Sequence, residues 1–409
     1  MSTIKKRLLV LGGGFIQIKL IEAAKTEGYC VIVFDYNDNC LGRKLADEFY
    51  NISIIDKDAV LKKAQEIRID GVVANSEAAM AVVSYVCDNL GLVGTTEESI
   101  RHFSSKHEFR KLQNRAGVYS PKSIKCNSYD EFLRNVNSLI FPIIIKPNES
   151  SGSRGTTKID SIDQIGVVKD LFIYCSNFSR DNSVTIEEYV EMPTLDIIGG
   201  DIFIHKGHFY WSGLMIEHRS SSAPMIPLTE IHPVNIPDEQ LDKFKSVTQL
   251  LFKEAGVTYG EYNVEAYFNK TGDLFYIEIN ARQGGDGIQE HIRLHSSLDM
   301  NKLYVTTAVG DDYYFNETKD ESILQCNFTI DLTIYPQHAG AFKQIFVDPQ
   351  IAKYVHHIDC HTRIGEQVRK MVDASDSLAT AYLVLPNREL QAELFTTVEN
   401  YIYPIIDEN

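Results

Sequence analysis

The chain has 409 residues with 56 acidic against 40 basic side chains, and its formal net charge of −16 excludes a general nucleic-acid or anionic-membrane binder, both of which need a basic surface. That length exceeds one ordinary core and predicts two or three domains. Seven scattered cysteines (Cys30, Cys40, Cys87, Cys126, Cys175, Cys326, Cys360) contain no CxxC pair, and no apolar run reaches the length of a signal core or a membrane span, so the expectation is a cytoplasmic protein with reduced thiols.

Residues 7–14 (RLLVLGGG) read as a short buried strand entering a glycine loop, 15–27 as a helix with Ile16, Leu20, Ile21 and Ala24 at helical spacing, and 30–35 (CVIVFD) as the next strand. This βαβ unit holds part of a dinucleotide fingerprint, Gly12, Gly14 and Asp35, but Gln17 stands where the third glycine belongs. The glycines therefore serve either a nicotinamide cofactor or only the tight strand-to-helix turn. Alternation continues with a strand at 50–55, a helix at 59–67, a strand at 71–74, a helix at 77–90 and a short strand at 91–94, which predicts an open, mostly parallel sheet. One helix is predicted over 96–116, carrying Lys106 and Arg110, then a helix at 129–137 and a strand at 141–146.

Lys146 closes that apolar strand (FPIIIK), an expensive place for an ammonium group unless an anion meets it. In the loop that follows, Ser151, Gly152, Ser153, Arg154, Gly155 and Thr156 combine small residues that let backbone N–H groups approach a polyphosphate with one added positive charge. The spacing is not that of the GxxxxGK[ST] loop; a different phosphate cradle and an exposed hairpin tip both fit it. Residues 183–190 (SVTIEEYV) form a strand ending in Glu187, Glu188, Tyr189 and Val190, whose peptide groups suit the edge of a purine between two lobes. Strands are predicted at 197–204, 208–213 and 215–218, with Lys206 and Gly207 as a hairpin turn. The polar stretch 219–237, with serines at 220–222 and four prolines, reads as a loop over an active site, and 238–255 as a helix.

Residues 263–285 (NVEAYFNKTGDLFYIEINARQGG) read as a β-hairpin with a turn at 269–273. A period of two puts Asn263, Glu265 and Tyr267 on one face of the first strand, and separates Tyr276, Glu278 and Asn280 from Phe275, Ile277 and Ile279 in the second. Glu265 faces the same way as Glu278 if the hairpin's register or a bulge allows it. Two carboxylates and an amide oxygen on one surface suit Mg²⁺, with Arg282 in reach of a phosphate on that metal; an ordinary solvated hairpin face is the alternative. His291 and His295, four apart on the next helix, fit a zinc pair without a convincing third ligand, solvated helix positions, or substrate contacts. Further strands are predicted in NFTIDLTIY and TAYLVLP, with an exposed YVHHIDCH between them.

Taken in order, Lys106, Lys146, SSGSRGT, EEYV, Glu265, Glu278, Asn280 and Arg282 resemble the ATP-grasp superfamily of carboxylate–amine ligases. The run EINARQGGD is similar to the pattern of its L-amino acid ligase and carbamoyl-phosphate-synthase-like subgroup. The resemblance covers nearly the whole chain and implies α/β and α+β architecture. A Rossmann-like pre-ATP-grasp domain with an open parallel sheet would occupy 1–103, and a nucleotide-binding lobe with a glycine-rich lid 104–190. A C-terminal ATP-grasp lobe would occupy 191–409, with the metal hairpin and a small terminal α+β subdomain. It further implies that Lys106 and Lys146 contact ATP phosphates, that 151–156 close over them, and that Glu187, Glu188, Tyr189 and Val190 hold adenine. Glu265, Glu278 and Asn280 would bind two Mg²⁺ ions, or Mn²⁺, and Arg282 with Lys146 would steady the transferred phosphoryl group. No glutamate stands near Thr194, where such families place the ribose contact, which leaves Glu191 or Asp196 for it. The implied reaction joins a small carboxylate to an amine, as in amino acid ligation, through an acyl phosphate with release of ADP and phosphate. A purine-pathway or carboxylase-like reaction and a non-catalytic ATP binder are the alternatives. A homodimer acting on small molecules, away from nucleic acid and membrane, is the implied assembly.

Overall fold

Short runs of aliphatic residues that are buried on both faces form the first sheet. In the computed structural model, which describes residues 5–150, 155–220, 223–285 and 287–407, four parallel strands lie in the order Glu48–Asn51, Cys30–Asp35, Arg7–Leu11, Gly71–Val73. Leu8, Leu9, Val10, Val31, Ile32 and Val33 are all wholly buried, as expected where helices cover both faces of a parallel sheet. The incomplete fingerprint serves the turn: the Asp35 carboxylate accepts the Gly13 N–H at 2.8 Å, and the Gln17 side chain fills the space beneath Gly12, whose φ is +99°. No strand forms at 91–94. Gly91 takes up φ +64° and ends the helix Glu77–Leu90 instead.

The helix predicted over 96–116 is two helices, Glu97–Arg101 and Lys106–Arg115, because Thr96 and Ser105 each cap a new first turn with a side-chain oxygen. A second sheet follows, antiparallel, in the order Ser123–Cys126, Val184–Glu188, Ile143–Pro147, Thr157–Ile159. Its own core gathers Phe132, Ile143, Ile145, Phe172 and Ile186 under the helices Tyr129–Asn135 and Ile165–Ser176.

The third sheet is the largest. Its antiparallel path runs Leu274–Asn280, Tyr259–Phe268, Asp196–His205, Leu214–Ser220, Ala223–His232, Phe328–Ile334, Ala379–Leu385, Val355–Cys360, with His208–Tyr210 beside Asp196–His205. The polar stretch 219–237, expected as a loop, is mostly strand: Ala223–His232 pairs with Leu214–Ser220, Thr229–His232 pairs also with Phe328–Ile334, and Pro227 falls on the part with one partner strand, opposite the register shift at Arg219. The strands in NFTIDLTIY, TAYLVLP and YVHHIDCH, expected in a small terminal piece, instead lengthen this sheet. Only Gln367–Val368, Gly340–Val347 and Ile402–Asp407 form a sheet apart. Among the described residues no helix is long and apolar enough to cross a membrane.

Candidate functional site

The hairpin sets Glu265 directly opposite Glu278 and Asn263 opposite Asn280. Opposed residues of an antiparallel pair project from one face with Cβ atoms about 4.5–5.5 Å apart, so the two carboxylates do face the same way. Beyond them the register slips: Ala266 pairs with Tyr276, leaving Ile277 as the extra residue of a bulge. This corrects the strict alternation read from the sequence. Tyr276 turns into the core, where its hydroxyl meets that of Thr248 at 2.7 Å, while Phe275 and Ile277 join Glu278 on the cleft side.

Lys146 is buried at the end of Ile143–Pro147, and its Nζ lies 2.9 Å from Glu187, which is 1% exposed. Arg110 grips the same carboxylate from the other side, Nε to Oε1 at 2.9 Å and Nη2 to Oε2 at 3.2 Å. Burial lowers the pKa of Lys146 against the pull of Glu187, with Arg110 adding to the lowering. Burial also disfavours a charged Glu187, but Arg110 and Lys146 outweigh it and hold the carboxylate well below its usual range. Arg110 reaches further, donating to the carbonyls of Tyr276 (2.9 Å) and Ile277 (3.4 Å), and so ties the buried triad to the bulge just before Glu278.

Lys106 occupies the first turn of its helix, where the dipole opposes a cation. Its Nζ is satisfied by the Ser150 carbonyl at 3.0 Å and by Glu278 at 3.2 Å. Across the hairpin, Glu265 meets Nη2 of Arg219 at 2.6 Å, and Nε of Arg219 meets Glu217 at 2.7 Å. The pKa values of the two facing carboxylates are pushed in opposite directions. Burial pushes the pKa of Glu265 up, and Glu278 adds to this against Arg219; for Glu278 burial is overcome by Lys106, the Asn280 amide and Arg282, which bring it down. Their side chains keep 25% and 19% exposure, so solvent softens both shifts while the directions stand.

Lys106, Lys146, Glu187, Arg219, Glu265 and Glu278 line the charged end of a cleft between the second and third sheets. Its other end is apolar, built by Ile144, Val190, Met192, Tyr267, Phe275 and Ile277. Glu187, Glu188, Tyr189 and Val190 all border it, but the N–H groups of Glu188 and Tyr189 are already bonded to the carbonyls of Lys122 and Pro142, and the Val190 carbonyl accepts the Tyr267 hydroxyl. Thr156 borders the cleft, and Gly155 adopts φ +71° at its edge; Ser151, Gly152, Ser153 and Arg154 lie outside the described residues, as does Asp286. Asn280 donates to Glu278 at 2.9 Å. Arg282 is half-buried beside them, its Nη1 on the Gln283 carbonyl at 2.6 Å, and the following turn is held by Asp201, whose two oxygens accept the Gly284 N–H at 2.9 Å.

All the oxygen donors at this end suit a hard cation, and the separation of a slot-like apolar end from a cationic end suits a nucleotide. Four residues of the arrangement were not assigned a role from the sequence. Arg110 stands one turn after Lys106 on one helix face, and Glu217 and Arg219 share a strand face, so the spacing signal existed. Asp201 gave no sequence signal. Glu191 pairs with Lys270 at 2.7 Å and Asp196 with His218 at 2.6 Å, and neither borders the cleft. His291 and His295, read partly as solvated positions, are buried.

Residues 139–290 match the family model of the ATP-grasp domain. Over 317 residues the chain is 24% identical to the alanine–anticapsin ligase of Bacillus subtilis, an alignment spanning 72% of this chain and 65% of that protein. It superposes on the L-amino acid ligase of Bacillus licheniformis with a TM-score of 0.79 at 15% identity, covering all of both chains. With phosphoribosylglycinamide synthetase of Anaerococcus prevotii the TM-score is 0.73 at 19% identity, over 98% of this chain and all of the other. The chain therefore carries an ATP-grasp domain, and its fold is the ATP-grasp fold.

Proposed function

We propose that this ATP-grasp chain is an ATP-dependent ligase that activates a small carboxylate as an acyl phosphate and joins it to an amine, with amino acids as the substrates, releasing ADP and phosphate. The observation that carries this is the pairing of Glu265 with Glu278 on one face, with Lys106 and the Lys146–Glu187–Arg110 triad beside them. The alanine–anticapsin ligase and L-amino acid ligase relationships support the substrate class.

A carboxylate is a poor electrophile, so its oxygen attacks the γ-phosphorus of ATP, ADP leaves, and the amine then displaces phosphate from the acyl carbon. Both steps concentrate negative charge on the same oxygens. Lys146 and Lys106 offset it from one side and Arg282 from the other, and no side-chain nucleophile is needed. Glu265, Glu278 and Asn280 fit two Mg²⁺ ions, which when bound would neutralise phosphate charge and fix the phosphates in line. The apolar end of the cleft takes the adenine.

Phosphate release from Mg-ATP, measured across a matrix of amino acids and amines, tests the proposal. Release dependent on an amino acid pair, with the amide product found by mass spectrometry, is the expected result. Release only with a sugar-phosphate amine or bicarbonate would move the chain to the purine-pathway or carboxylase-like reading, and none with any acceptor would refute a ligase. Glu278→Gln should lose at least a hundredfold in kcat while its thermal melt stays near wild type, because one of the carboxylates that would hold the metal is gone.

A further inference from the structure

A second cluster of ligand-type side chains lies on the same face of the large sheet, apart from the nucleotide cleft. Glu217 is the cross-strand partner of Glu230, and Glu230 is the partner of Asp331, so all three project one way. The helix Ile288–Ser296 lies over this face and brings down His291 and, one turn on, His295. His232 follows Glu230 by two residues on the same strand face, its ring centroid 4.4 Å from that of His291.

A carboxylate oxygen of Glu230, one of Asp331 and a ring nitrogen of His291 lie within 4.8 Å of one another, and all three side chains are buried. Both rings are fully buried, and among the described residues no contact of His291 or His232 reaches full hydrogen-bond geometry, with the Thr329 backbone beside the first ring and the Leu214 backbone beside the second. His291 Nδ1 stands 3.8 Å from Glu230 Oε2, too far for a hydrogen bond. An imidazole nitrogen beside converging carboxylate oxygens is the donor set of a metal site.

We propose that Glu230, His291 and Asp331 hold one divalent transition-metal ion of the zinc class, with His232 alongside as the next available nitrogen. Bond lengths to such an ion are about 2.0–2.2 Å, so its ligand atoms sit about 3–4 Å apart and the observed cluster closes on it with small side-chain shifts. An imidazole among the ligands favours zinc and its neighbours over Mg²⁺. Three strand spacings separate Glu230 from Glu265, about 14 Å, so this ion is distinct from those on the phosphates. The site does not depend on the ligase reading.

Zinc is the probe. The full chain, purified without chelator or immobilised-metal resin from zinc-supplemented growth, should carry about one equivalent by elemental analysis in the absence of nucleotide. Glu278→Gln and the exposed-histidine variant His356→Ala should keep that equivalent, while His291→Gln and Asp331→Asn lose it. X-ray absorption on the wild-type protein should show a nitrogen/oxygen shell with imidazole scattering, a readout that does not rely on variants folding. Metal-free wild-type protein, an equivalent retained by both His291→Gln and Asp331→Asn, or a shell without imidazole would each overturn the site.

Discussion

Replacing Arg110 with methionine tests how the charged end of the cleft is held. The guanidinium makes a two-pronged contact with Glu187 at 2.9 and 3.2 Å, bonds Gln113 at 2.6 Å, and bonds the Tyr276 carbonyl at 2.9 Å. The side chains of Arg110 and Glu187 are only 3% and 1% exposed, so solvent does not screen the pair. Methionine fills similar volume but leaves Glu187 with Lys146 as its one buried cation. Removing one partner of a buried pair costs about 3–5 kcal/mol. Glu187 is held ionised with a depressed pKa, so its stabilising contribution is present above the unfolded carboxylate pKa and is lost only as pH falls through the depressed folded value. The Arg110→Met penalty should therefore be flat between about pH 5 and 8. Hydrogen exchange of the strand Val184–Glu188 should accelerate by two to three orders of magnitude, and ATP affinity should fall as Lys146 and the bulge at Ile277 lose their anchor. Arg110→Lys should recover the charge but not the two-pronged geometry, and so only part of both effects. Exchange and ATP affinity within twofold of wild type in Arg110→Met would refute the view that this triad positions Lys146 and the hairpin.

Because the Glu265 pKa is raised by burial and by Glu278, its favourable protonated form contributes stability at low pH that is lost as pH rises through the shifted value. Without metal the thermal melt should fall over that rise and Mg²⁺ should restore it; Mg²⁺ titration calorimetry should show affinity increasing with pH, a dependence that flattens in Glu265→Gln. Asp201→Ala removes the acceptor for the Gly284 N–H, for Asn263 at 2.9 Å and for Gln289 at 2.7 Å. It should cost about 1–3 kcal/mol and lower kcat more than it raises the ATP KM, because the turn after Arg282 loosens while the adenine slot is untouched. In Gly199→Ala the new Cβ would lie 2.0 Å from the Val264 carbonyl oxygen, next to Glu265. That strand must move, and Mg²⁺ affinity measured by calorimetry should drop at least tenfold while Gly272→Ala, at an exposed turn, leaves it unchanged.

Much of the fold was legible because its signals are local. The buried runs of the first sheet, the helix at 238–254 and both strands of the hairpin follow from apolar period and turn chemistry. The glycine-serine loop and the order of Lys106, Lys146, Glu265, Glu278, Asn280 and Arg282 pointed to the ATP-grasp domain that the comparisons recover. What failed locally failed for a physical reason. The 219–237 stretch carries loop-like prolines and serines, yet pairing with Leu214–Ser220, and at Thr229–His232 also with Phe328–Ile334, overrides that composition. The alternation in 275–280 broke because the bulge at Ile277 spends one residue without a partner.

By itself the sequence determined which chemistry was available: two lysines on different elements, two carboxylates on one hairpin, and the histidines of a helix face. The tertiary structure decided which of these meet. Glu187 lies between Lys146 and Arg110, Arg219 reaches Glu265 across two strands, and His291 comes down on Glu230 and Asp331. Those contacts join residues about forty to nearly eighty positions apart, and no periodicity within a segment encodes a pairing between segments. Their burial and the charges around them, which shift the pKa values of Glu265 up and Glu278 down, exist only once the sheets have packed.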